Sequence, residues 1–172
     1  MKKEIMYVFF DIDGVLNKKS DWKNKYSIDI DCVKGFSEIV KYYKSRYSEV
    51  RLVICSTWRL GWANNMNNSA PIDKLKELFE SMNLKIYDKT SISQKSRQEE
   101  IEYYIKRNNV KKYIILDDDK SLFPCPDNVN LYCPNYLTGL TKQGLKNIKM
   151  KKINVLKGRS SEYYKKDDEL LL

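Results

Sequence analysis

The sequence predicts an α/β fold: a three-layer sandwich built on a mainly parallel sheet. Three observations predict it. Short apolar runs of strand length alternate with longer segments whose apolar residues recur at helical spacing. Strands that alternate with helices pair in parallel through right-handed crossovers. Three of the apolar runs also stop abruptly at polar clusters. An open α/β sheet gathers such strand ends along one edge, where its ligands bind.

The first run, Ile5 to Phe10, is aromatic and β-branched and reads as a buried strand. It stops at Asp11-Ile12-Asp13-Gly14. Alternation along a strand starts Asp11 and Asp13 on the same side. Gly14 then lets the chain turn where a bulkier residue would resist. Two such carboxylates repel, and one tends to hold its proton unless a divalent cation removes the cost. A hard cation such as Mg²⁺ takes oxygen ligands of this kind. The plainer alternative is a polar turn after a core strand.

The polar segment from Lys18 to Ile30, which carries Trp22 and Tyr26, reads as a loop or small flap. Val33, Phe36, Val40, Tyr43 and Tyr47 predict a helix from about Asp31 to Tyr47. Arg51 to Cys55 is the next strand and ends at Ser56-Thr57-Trp58-Arg59. An Asn-rich loop from Gly61 to Ala70 follows. Pro71 opens a helix, where its missing N–H costs little. Ile72, Leu75, Leu78, Phe79 and Met82 form that helix's apolar face. Leu84 to Tyr87 is a short strand. Ser96 and Glu99 make a capping box for a helix that buries Ile101, Tyr104 and Ile105 and ends at Asn108-Asn109. Lys112 to Leu116 is a strand that stops at Asp117-Asp118-Asp119. Past a Pro-punctuated segment, a strand is expected at Val129 to Tyr132. Thr141 then caps a last helix bearing Leu145, Ile148 and Ile153.

The chain has 172 residues, 42% of them apolar and 12% aromatic, enough for one folded domain and too apolar for a disordered chain. That domain is expected over Met1–Leu156, with a charged tail at Lys157–Leu172. No apolar run approaches the ~20 residues of a membrane helix. The start shows no cleavable signal pattern. With no His and four scattered cysteines, His-based acid–base chemistry and a structural zinc site are set aside. The expectation is a reduced, cytoplasmic protein with no membrane partner. The net charge is +9, and no acid occurs from Asn128 to Ser161, where Lys142, Lys146, Lys149, Lys151, Lys152, Lys157 and Arg159 gather. Such a stretch attracts phosphate polymers; a solvated lysine-rich surface is the plainer alternative.

Asp-x-Asp-Gly-Val after an apolar strand resembles the first motif of the haloacid dehalogenase (HAD) superfamily of phosphotransferases. The resemblance extends over roughly Ile5 to Leu156. Ser56 at the end of its strand is similar to the second motif, Arg97 or Lys95 at a helix start to the third, and Asp117-Asp118-Asp119 to the fourth. One branch, found in RNA-repair proteins, is resembled more closely still. Its features are matched here by Asp13 to Asn17, Ser56 to Arg59, Arg97-Gln98-Glu99-Glu100-Ile101, Ile115 to Asp119 and Gly139 to Thr141.

The resemblance implies a Rossmann-like sheet and Mg²⁺-dependent hydrolysis of phosphomonoesters through an aspartyl-phosphate. Asp11 would be the nucleophile. Asp13 would protonate the leaving oxygen and then activate water. Ser56 would hydrogen-bond a phosphate oxygen, and Arg97 would pair with the phosphoryl group and screen Asp11. Thr57, Arg59, Lys95 and Gly14 would line the substrate side. Asp11, Asp13, Asp118 and Asp117 would be the metal ligands. Only loops and helices fill the segments between motifs where many relatives insert a cap domain, so a minimal cap and an open site are expected. An open site beside a basic stretch suits RNA or DNA ends. A phosphatase for small metabolites (nucleotides or sugar phosphates) and a catalytically inactive binding module are the alternatives. A receiver domain is set aside, because Ser56 stands where its acceptor Asp would end a middle strand.

Overall fold

The computed structural model describes residues 4–62, 70–92 and 94–150. Ile153, the tail at Lys157–Leu172, the basic residues from Lys151 onward and the side chains of Lys149 and Trp62 lie outside what it describes.

Five strands form one sheet: β1 (Ile5–Phe10), β2 (Glu49–Ile54), β3 (Ile86–Lys89), β4 (Lys112–Leu116) and β5 (Leu131–Tyr132). Their order across the sheet is β3-β2-β1-β4-β5, with every pairing parallel. The first strand in sequence is therefore the central one. Its alternate side chains feed two cores. Met6, Val8 and Phe10 pack with Val33 and Phe36 of α1 (Ile30–Lys44), Phe79 of α2 (Ala70–Ser81) and Ile148 of α4 (Lys142–Met150). Tyr7 and Phe9 pack on the other face with Ile101 and Tyr104 of α3 (Arg97–Arg107). Both faces of β1 are covered, which is why its sequence is a continuous apolar run and not an alternating one. These are the expected three layers.

Local chemistry sets the element ends. Asp29 caps α1 by accepting from the N–H groups of Asp31 and Cys32. Ser96 caps α3 by accepting from Glu99 N. The Glu99 carboxylate reaches back to Lys95 N, one residue before the cap, so the expected box closes one position early. Helix α1 stops at Lys44, short of the expected Tyr47, which packs half-buried on the core from beyond the helix. Asn83, with φ of 56°, turns the chain out of α2, so Leu84 packs in the turn and β3 begins later than expected.

Pairing continues one residue past three strand ends. Asp11 N donates to Leu116 O and Cys55 N to Phe10 O, both at 2.9 Å, and Asp117 N donates to Tyr132 O at 3.3 Å. This fixes Asp11, Ser56 and Asp117 side by side along one edge of the sheet. The stretch between β1 and α1 holds only a 3-10 turn, Lys19–Lys23, and loop; among the described residues no cap domain is inserted. No helix among the described residues is long and apolar enough to cross a membrane.

Candidate active site

Three carboxylates meet where β1 and β4 end. Asp11, Asp117 and Asp118 each offer an oxygen, and these oxygens lie within 4.8 Å of one another. Asp117 is wholly buried, and Asp118 is partly open. Arg97, on the first turn of α3, lies against them: its Nη1 is 2.9 Å from Asp117 Oδ2 and 3.3 Å from Asp11 Oδ1. Asp117 Oδ1 accepts from Asp119 N, so both oxygens of Asp117 are engaged. Asp11 Oδ1, although buried and near Arg97, has no hydrogen-bond donor aligned on it.

Burial raises the Asp11 carboxyl above its ordinary range, opposed by the Arg97 charge and the Ser56 hydroxyl. Burial, then the Asp11 charge, pushes Asp117 up to about 8, and the same two causes push Asp118 to about 6. One guanidinium does not neutralise three acids, so a divalent cation fits here on charge as well as on ligand type. The donorless Asp11 oxygen is the atom such a cation would satisfy.

Gly14 makes this grouping sterically feasible. Its φ is +72°, and a Cβ built there would lie 2.2 Å from Asp118 Cγ. A side chain at position 14 and the Asp118 carboxylate would occupy the same space.

Two placements differ from the sequence reading. Asp13, expected among the metal ligands, stays outside the carboxylate group. Its Oδ1 accepts from Asn17 Nδ2 at 2.8 Å and its Oδ2 from Trp58 Nε1 at 2.9 Å. Arg59, expected to line the substrate side, is 3% exposed and turned inward. Its guanidinium donates to the carbonyls of Cys55, Ser56, Thr90 and Ser91 and to Glu100 Oε2. The 3-10 turn at Thr57–Trp62 swings it back under the strand ends, where those carbonyls need donors. Arg59 therefore braces the site without facing it.

The other expected residues lie as follows. Ser56 is buried beside Asp11, and its Oγ accepts from Trp58 N. Thr57 is exposed at the rim. Lys95 is exposed, and no hydrogen bond or ion pair joins its ammonium to Asp11, Asp117 or Asp118, whereas Arg97 touches two of them.

Asn17 and Glu100 stand inside motifs the sequence displayed but carried no assigned role. Asn17 is almost fully buried and uses all four of its hydrogen-bonding positions. Its Oδ1 accepts from Gly14 N and Trp22 Nε1, and its Nδ2 donates to Asp13 and to Ser27 O. A polar residue four after Asp13, in a tight turn, was the available signal. The late Gly139-Leu140-Thr141 secures the same turn, since Leu140 N donates to Val15 O.

An all-parallel sheet with an acid pair after β1, a Ser after β2, an Arg on α3 and acids after β4 defines a HAD-superfamily domain. Residues 7–145 match the model of the HAD domain in Swiss Army Knife RNA repair proteins, and the chain belongs to that family. Membership supports a phosphatase-type hydrolase in general terms. No curated protein matches the chain.

Proposed function

We propose that the chain is a divalent-cation-dependent phosphomonoester hydrolase that acts on nucleic-acid ends through an aspartyl-phosphate on Asp11. The observation that carries this is the buried, donorless Asp11 oxygen grouped with Asp117 and Asp118 and flanked by Arg97. Asp11, Asp117 and Asp118 would hold Mg²⁺, which when bound supplies charge neutralisation for an anionic substrate beside an anionic nucleophile.

This chain's own residues do the rest. An Asp11 carboxylate oxygen attacks phosphorus, and the bond from phosphorus to the ester oxygen breaks. Asp13 gives a proton to that oxygen as it leaves. Asp13 then takes a proton from water as the water attacks phosphorus. The bond to Asp11 breaks and inorganic phosphate leaves. The Ser56 hydroxyl donates to a phosphoryl oxygen, and Arg97 offsets negative charge at Asp11; Thr57 and Lys95 lie outward for the rest of the substrate.

Nucleic-acid ends are supported by the family's RNA-repair description, by the lack of an inserted cap among the described residues, and by the acid-free basic stretch from Asn128. Cys32, Cys55, Cys125 and Cys133 form no disulfide with one another, which fits a reducing, cytoplasmic setting.

The test is phosphate release from 3′- and 5′-phosphorylated oligonucleotides, nucleotides and sugar phosphates, with and without Mg²⁺. Release should require the cation and be fastest from oligonucleotides. Asp11→Asn should release none while still folding, with a cooperative melting transition. Wild-type turnover by that variant would remove Asp11 as nucleophile, and faster release from sugar phosphates would assign a small-metabolite phosphatase.

A further inference from the structure

Around Asp13 stand rings that the reaction as described does not use. Trp58 donates its Nε1–H to Asp13 Oδ2, and Tyr26 packs edge-on against Trp58 with centroids 5.0 Å apart. On the other oxygen, Asn17 links Asp13 to Trp22 Nε1. Trp22 stacks with Tyr136 at 6.2 Å and an interplanar angle of 27°. These outer rings are not core: Trp22, Tyr26 and Tyr136 are 44%, 43% and 41% exposed. Tyr26 is also held at a φ of 62°, a conformation uncommon outside glycine. Lys19 and Lys25 place ammonium groups 5.4 Å and 4.9 Å from the ring centroids of Tyr136 and Tyr26. A surface of half-open rings edged with cations is the composition that binds single-stranded nucleic acid.

We infer that Trp22 and Tyr136, with Tyr26 beside Trp58, form a leaving-group subsite that stacks the nucleobase of the phosphorylated terminal residue. The inference rests on the proposed role of Asp13. In the proposed reaction Asp13 stands at the ester oxygen as the bond from phosphorus breaks, so whatever borders Asp13 borders the departing sugar and its base. Two of the rings, Trp58 directly and Trp22 through Asn17, are tied to the two Asp13 oxygens by three hydrogen bonds of 2.8 to 2.9 Å. Stacking a base there sets the distance from the ester oxygen to Asp13, so the recognition element and the proton donor move as one body. Stacking is sequence-tolerant, since every base has a π face. The subsite therefore reads the presence of a base and not its identity.

The test uses two oligonucleotides that differ only in their phosphorylated terminal residue, one bearing adenine and one abasic. The wild-type chain with Mg²⁺ should favour the adenine-bearing end in kcat/KM by about tenfold, the scale of one lost stacking contact. The double variant Trp22→Leu/Tyr136→Leu should lose that preference. The pair Trp22→Phe/Tyr136→Phe keeps both rings and should retain it, although it acts more slowly on both ends because the Asn17 hydrogen bond is gone. Equal rates on the two ends in the wild type, or a preference that survives in the leucine pair, would overturn the subsite while leaving the phosphatase reading standing. Phosphate release from neither oligonucleotide nor any small ester would defeat the phosphatase reading and the subsite with it.

Discussion

At the scale of single residues, the site depends on a position that has no side chain. Gly14 lets the Asp118 carboxylate approach β1's turn, and its backbone lies in the left-handed region. Gly14→Ala meets both obstacles. The backbone conformation costs roughly 1–2 kcal/mol for an L-residue, and the new methyl displaces Asp118. The expected outcome is a folded protein whose kcat falls by about 100-fold, the scale of a 1 Å misplacement, and whose Mg²⁺ requirement shifts to higher concentration. Kinetics across a Mg²⁺ titration, beside an unfolding curve, checks it; an unchanged Mg²⁺ midpoint would show that Asp118 is not a ligand. The sequence displayed Asp11, Gly14, Asp117 and Asp118 as neighbours because each follows a strand end, and strand ends converge. It could not display Trp58 as a partner of Asp13, since that bond spans 45 residues and depends on how two loops meet. Arg59 was misread for the same reason: its place beside Ser56 in sequence does not reveal a turn that points it inward.

At the scale of elements, α3 carries a ladder of alternating charge. Arg97 and Glu100 are three residues apart and share a face; Glu100 Oε2 is 3.8 Å from Arg97 Nε and 2.7 Å from Arg59 Nη2. Arg97 in turn meets Asp11 and Asp117. Glu100 therefore separates two guanidiniums in a buried space. Glu100→Gln keeps the shape but leaves both cations facing each other. We expect a loss of about 1–3 kcal/mol in urea unfolding, the range for a compromised buried polar group. A rise in KM should accompany it as Arg97 shifts. A variant as stable as wild type would mean that the carbonyls around Arg59 suffice. Helix α3 was legible from its Ser96 cap and its apolar spacing. The inward turn of Glu100 was not, because a charged residue near a helix start ordinarily reads as solvated.

At the scale of the whole molecule, pH and the cation act on stability together. Asp118 and Asp117 are raised from the ordinary 3.8 to about 6 and about 8 by burial and by the Asp11 charge. The native state then holds protons that the unfolded chain has already released. Stability of the metal-free protein should therefore be greatest at acid pH and fall as pH rises through about 6 to about 8, the reverse of the usual carboxylate pattern. Mg²⁺ should offset the fall, and more so at higher pH, because its ligands are deprotonated there. At a hundredfold excess over its Kd the gain is about 2.7 kcal/mol. Melting curves at pH 5 and 8, with Mg²⁺ and with EDTA, check this. A Mg²⁺ gain equal at both pH values would count against the carboxylate group as the site. The layered fold was legible from the alternation of strands and helices, since burying a sheet on both faces requires apolar runs. The strand order was not, because nothing local tells β1 that its neighbours are the second and fourth strands.

That order has a consequence for how the chain is made. The three clustered carboxylates come from the ends of the first strand and the fourth, and β1 finds its partners only in segments synthesised later. At usual elongation rates, roughly 5 to 20 seconds separate the emergence of Asp11 from that of Asp117. During that interval the newborn chain has Asp11 and Asp13 but lacks the two carboxylates that complete the group. The proposed nucleophile is made first and armed last.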